Sequence, residues 1–277
     1  MPGHSHWVKH WMSQAADSAG VPFEGREFHD HPFKDDDGSQ PPALGQALGA
    51  FRDALAGDDD DALAAVAADL VETLRTERVL VPLVAEAGDL GVTDDGLVVE
   101  KSQELSIVTV EGPTGQPTGL MFSCVDDMSS WRSEARPIPV EAARVAAWAL
   151  TEDVPHVVID AGSDGPVVCR RGMLWSLVGD EPYVAPWVSE PVVEALTATH
   201  LWGSIPGLVF ARVRSGWRLD AGVGPDVIVT LGLEPGLERA DIDKVTQTVA
   251  AHWAGVTEAL RLVDGIRMEL VAANGPR

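Results

Sequence analysis

Positive charge is scarce in this 277-residue sequence: 20 Lys and Arg stand against 43 Asp and Glu, a formal charge of -23 at pH 7. A chain of that sign repels phosphate backbones, which argues against direct nucleic-acid binding. It attracts instead a protein partner with a basic surface, at a rate that salt suppresses. Cysteine is nearly absent too. Cys124 and Cys169 form no CxxC pair and are too few for a disulfide framework, as expected for a reducing, cytoplasmic compartment. No stretch approaches the ~18 apolar residues of a membrane span. Residues Met1 to Gln14 hold three His and two Trp but no apolar core of a secretory signal, so neither membrane insertion nor export is expected.

What is present is ordinary globular material, with 45% hydrophobic and 23% charged residues. The length suits one large or two modest domains. Residues 1–40 mix His, Trp, Asp, Gly and Pro without period and read as an irregular arm, expected to fold onto the body through Trp7, Trp11, Phe23, Phe28 and Phe33. Helices are expected from Pro41-Pro42 to Gly57, on Leu44, Leu48, Phe51 and Leu55, and after the acidic run Asp58 to Asp61, on Leu63, Val66, Leu70 and Leu74. That run suits a helix N-terminus better than an ion site, because Ca²⁺ loops need alternating oxygen ligands around a Gly turn. Strands are expected at Arg78 to Val84, Glu104 to Val110, Thr118 to Ser123, His156 to Asp160 and Pro166 to Cys169. An Ala-rich helix is expected over Val140 to Leu150, and a helical turn over Met173 to Val178.

The Gly- and Pro-marked stretch from Gly179 to Pro191 suggests a boundary. The expected fold class is therefore α+β, with a mixed β-sheet and packed helices over 41–180 and a smaller α+β domain over 181–277. The second domain reads as strands at Gly207 to Val213, Asp226 to Leu233 and Ile266 to Val271, with a long helix from Asp241 to Val263. That helix carries an apolar stripe that packs on its own sheet or, alternatively, forms a homodimer seam. Gly222-Val223-Gly224-Pro225-Asp226 lacks the third Gly and the following helix of a dinucleotide fingerprint and reads as a turn.

The segment Arg78-Val79-Leu80-Val81-Pro82-Leu83-Val84-Ala85-Glu86, followed after an insertion by Lys101-Ser102-Gln103-Glu104-Leu105-Ser106-Ile107-Val108-Thr109-Val110, resembles the N-terminal domain of the SseB family, named for the enhanced serine sensitivity protein. The likeness runs on through Met128 to Trp131 and Ala135-Arg136-Pro137-Ile138-Pro139, and Ala19 to Phe23 is similar to the family's longer bacterial members. The resemblance implies an α+β domain of a family with no established enzymatic activity and no catalytic residues to carry over; no cofactor is expected.

Candidate sites are few. Lys101, Ser102, Gln103 and Glu104 lead into a buried strand and suit either a groove or a solvated strand end. Trp131, Arg132 and Arg136 can form an anion-binding or peptide-binding rim beside it, or cover the core. Cys169, with Arg170 and Arg171 following at a strand end, offers a thiol site if the thiolate forms at neutral pH, though the Arg that closes a phosphatase or sulfurtransferase loop is missing. His4, His6, His10, His29 and His31 crowd the arm, and Pro2-Gly3-His4 with a free amine would suit Cu²⁺ or Ni²⁺, but adventitious metal binding is the simpler reading. The leading expectation is a non-catalytic binding or regulatory protein. A thiol-dependent enzyme centred on Cys169 and a dimerising assembly protein are the alternatives.

Overall fold

The computed structural model of the chain describes residues 33–84, 90–92, 98–100, 107–112, 115–197, 204–219 and 224–273. The His-bearing arm of residues 1–32 and the segment Lys101 to Glu104 lie outside the described residues.

The protein is α+β. In chain order its first elements are α1 (Pro42–Ala56), α2 (Asp60–Thr76), β1 (Arg78–Leu83), β2 (Leu90–Val92), β3 (Val98–Glu100), β4 (Thr109–Glu111), β5 (Pro117–Met121) and α3 (Val125–Trp131). Then follow β6 (Arg136–Glu141), α4 (Ala142–Thr151), β7 (His156–Ile159), β8 (Val167–Cys169), α5 (Arg171–Val178) and α6 (Glu190–Thr197). The last elements are β9 (Leu208–Ser215), β10 (Val227–Leu233), α7 (Arg239–Gly255) and β11 (Ile266–Ala272). Two compact units divide the chain: residues up to Gly45 with Leu74–Cys169, and Gln46–Thr73 with Arg170–Arg277.

Both early helices follow their apolar spacing. Leu44, Leu48 and Phe51 of α1 are buried, and Pro42 sits in the first turn, where its missing N–H costs nothing. In α2, Asp59 does the capping: its Oδ1 accepts the Ala62 N–H at 3.0 Å. Leu63, Ala67, Leu70 and Leu74 then lie on one inaccessible stripe.

In the first unit β1 pairs antiparallel with β6, from Arg78 opposite Glu141 to Leu83 opposite Arg136. A four-stranded sheet runs in the order β4-β5-β7-β8, parallel only between β5 and β7. Leu80 and Phe122 exchange two backbone hydrogen bonds of 2.8 Å, which set the hairpin beside the first strand as its sequence suggested. Leu80, Leu120, Phe122 and Met128 form a buried cluster there. Gly119 is needed beneath it, since a Cβ would meet the Trp148 ring at 2.8 Å. β6 is a departure from the sequence reading, which began a helix at Val140. Pro137 and Pro139 hide the strand, but they lie on β6, which among the described residues pairs on one side only and so tolerates the missing donors.

In the second unit the sheet order is β11-β10-β9, with β10 parallel to β11 and antiparallel to β9. β10 is the central strand, and six of its seven residues are buried. The helix expected to reach Val263 stops at Gly255, where the Val256 N–H bonds back to the Trp253 carbonyl and residues 257–262 turn. Its Val245 and Val249 are buried, and the His252 and Trp253 rings contact the Ala195 and Leu196 carbonyls of α6 at 3.0 Å. α6 is not among the expected elements: Pro191, which the sequence marks as punctuation, occupies the first turn of the helix.

Candidate functional site

The exposed candidate is the end of α3. Trp131, its last residue, packs on Phe122 with ring centroids 5.6 Å apart. The Arg132 guanidinium lies 5.1 Å from the Trp131 ring and pairs with Glu134 at 3.5 Å, both side chains exposed. Arg136 is exposed at the start of β6, opposite Leu83, which is itself 44% exposed. Support for this edge is tight: a Cβ on Gly162 would stand 2.5 Å from the Trp131 nitrogen and 2.6 Å from the Asp127 carbonyl oxygen. A half-buried indole with a cation over its face, and a second guanidinium side chain exposed a few residues on in the chain, is chemistry for holding an acidic or aromatic side chain.

Behind it lies a buried polar network that residue spacing did not reveal. Arg78 donates from Nη1 to the Ser123 carbonyl at 2.5 Å, from Nη2 to the Ser39 carbonyl and from Nε to Asp36. The Asp160 carboxylate accepts the Ser123 N–H at 2.7 Å and the Ser123 hydroxyl at 2.9 Å, while Gln40 donates to that hydroxyl at 2.7 Å. Asp160 takes a left-handed φ of 57°, which Asp tolerates better than most residues. The network ties the segment before α1 to the turn that starts α3.

Cys169, at the end of β8, is fully buried, and burial pushes its thiol up to about 12. A thiol that keeps its proton at neutral pH is a poor nucleophile. Cys124 is also pushed up by partial burial, and its Sγ donates to Asp127 at 3.2 Å.

Arg170 and Arg171 are engaged elsewhere. Arg170 Nη1 donates to Asp226 at 3.1 Å and to the Gly224 carbonyl at 2.7 Å, with its guanidinium 5.0 Å from the Trp217 ring centre. Arg171 donates to Asp264 from its backbone N–H at 2.9 Å and from Nε at 3.2 Å. The two carboxylates are joined as well. Asp226 accepts the Trp217 indole N–H at 2.8 Å and the Asp264 backbone N–H at 2.7 Å. Burial, then the charge of Asp226, pushes the Asp264 carboxyl up to about 6, against the lowering pull of Arg171 and Arg170. Phe51, Tyr183 and Trp187 surround Trp217 at 4.8 to 6.5 Å between centroids. Perturbed carboxyls often mark functional sites, but structural ion pairs perturb them equally.

Among the described residues no group of three or more His, Cys, Asp or Glu is placed to hold a metal ion. Nor is any described helix long and apolar enough to cross a membrane.

Residues 52–176 match the family model of the SseB protein N-terminal domain. The chain carries an SseB domain. Its span runs from within α1 to within α5, so it contains the Trp131 rim, Cys169 and, of the buried network, Arg78, Ser123 and Asp160, while Asp36, Ser39 and Gln40 precede it and α6, α7 and β9 to β11 lie beyond it. No curated protein and no solved structure matches the chain.

Proposed function

We propose that this protein is a non-catalytic binding or regulatory member of the SseB family, working in the cytoplasm, whose acidic exterior engages a protein partner with a basic surface. The observation that carries this reading is the charge of -23 over 277 residues. Such a field raises encounter rates with a cationic partner and turns away polyanions. The chemistry of the polar groups inside the fold supports it, because Arg78 is held by Asp36 and the Ser39 and Ser123 carbonyls, Arg170 pairs with Asp226, Arg171 pairs with Asp264, and Cys169 keeps its proton. A thiol enzyme centred on Cys169, Arg170 and Arg171 would need the opposite.

Within the SseB domain the rim of Trp131, Arg132 and Arg136 is proposed to hold an acidic or aromatic side chain of that partner, with Lys101, Ser102, Gln103 and Glu104 proposed as the neighbouring wall. The test is capture from native lysate on the immobilised full chain, at about 50 mM and about 500 mM salt. A protein with a basic surface, retained at low salt and released at high salt, is the expected result. A monodisperse chain that retains nothing at low salt overturns the reading.

A further inference from the structure

The sheet of the second unit has one face whose charge runs against that of the whole chain. The strand registers align Arg214 with Ile228 and Arg267, Arg212 with Thr230 and Glu269, and Phe210 with Gly232 and Val271. Residues directly opposite one another share a face, so three arginines and one glutamate lie on it. Contacts across the strands agree. Glu269 accepts from Arg214 at 3.0 Å and pairs with Arg267 at 3.7 Å. The Phe210 ring lies over Gly232, where an added Cβ would come within 2.1 Å of it, and the Arg212 guanidinium stands 4.7 Å from that ring. Arg214 and Arg267 are about half exposed, at 48% and 54%, and Val271 is 41% exposed.

The occupant follows from complementarity. Glu269 already sits between two guanidinium groups, so the face is built to seat a carboxylate, and one internal carboxylate leaves a net surplus of two cations. A nucleic acid brings many charges into the field of a chain at -23 and meets repulsion beyond the patch. A short peptide brings few charges and can also use the apolar surface of Phe210 and Val271. Among the described residues β11 stands at the sheet edge, where an extended segment can align.

We infer that this face of β9, β10 and β11 docks an extended acidic protein segment in which carboxylates alternate with apolar residues, gripped by Arg212, Arg214 and Arg267. The site is distinct from the acidic exterior and the rim of the SseB domain, and its partner has the opposite charge.

The test is fluorescence anisotropy of a labelled synthetic peptide of alternating Glu and Val, titrated with the full chain. Saturable binding is expected, weakened about tenfold or more by the paired exchange Arg212→Glu and Arg267→Glu. Glu269→Gln, which frees two arginines from their internal carboxylate, is expected to tighten binding about threefold. Circular dichroism and the urea midpoint check folding. Should the double variant fail to fold, Glu269→Gln decides: tightening supports the docking face and unchanged affinity overturns it. The inference also falls if the wild-type chain shows no saturation, or if single-stranded DNA of equal charge binds as tightly and is lost in the same variant.

Discussion

Two buried arginines, Arg78 in the first unit and Arg170 in the second, solve the same problem in different ways. Arg78 spends most of its donors on backbone carbonyls and keeps one acid, Asp36, whose side chain retains some contact with solvent. Arg170 and Asp226 are both 2% exposed, so that pair must balance its own charge within the protein. Arg78 acts as a staple between chain segments, where loss of a donor leaves carbonyls unpaired. Arg170 belongs to a charge-balanced cluster, where loss of a carboxylate leaves a buried cation uncompensated, the costlier fault.

The largest expected effect separates the two. Asp226→Ala should lower unfolding stability by about 3–5 kcal/mol. Arg78→Met should cost about 2–3 kcal/mol, the worth of hydrogen bonds from a charged donor. Urea denaturation of both variants checks the ranking, and equal costs break the comparison.

The cluster around Asp264 should also respond to pH. Its folded-state carboxyl is raised to about 6 from an ordinary value of 3.8, so between those values the folded state holds a proton that the unfolded state has released. Stability from this group is therefore full below about pH 4 and falls as pH rises through about 6, by about 2 kcal/mol. Asp264→Asn lacks the titration. The stability of wild type minus that of the variant should fall by that amount from pH 4 to pH 7, and a difference that stays flat places the proton elsewhere.

A smaller effect probes the staple. Asp160→Asn keeps tolerance of the left-handed backbone and an acceptor for the Ser123 N–H, and should cost about 1 kcal/mol. Asp160→Ala loses both and should cost about 2–3 kcal/mol. Similar urea midpoints for the two would remove the backbone part of the argument. The smallest effect is no effect: in the native chain at pH 7, Cys169 should react with iodoacetamide far more slowly than free cysteine, and should label only on unfolding. Labelling as fast as free cysteine would favour the thiol enzyme over the binding protein.

Helices α1 and α2 and the hairpin of β4 and β5 were legible because burial imposes a period on apolar residues, as with Leu63, Ala67, Leu70 and Leu74. β6 and α6 were not, since Pro137, Pro139 and Pro191 carry opposite meanings at a single-sided strand, in a first helical turn and in a loop. The contact of Arg132 with the Trp131 ring was within reach of the sequence, as the two are adjacent in the chain. The buried clusters were not. Arg170, Asp226 and Asp264 are separated by long stretches, and a buried Asp is the same letter as a solvated one. In the sequence Asp226 is only the end of a Gly-rich turn, and Arg212, Arg214 and Arg267 become one face only through register.

The acidic-exterior reading is tested most directly by the association rate of a captured basic partner, followed by stopped flow from about 20 to about 200 mM salt. The account predicts a fall of about tenfold or more, with the dissociation rate changing much less. An association rate that stays level across that range would contradict it.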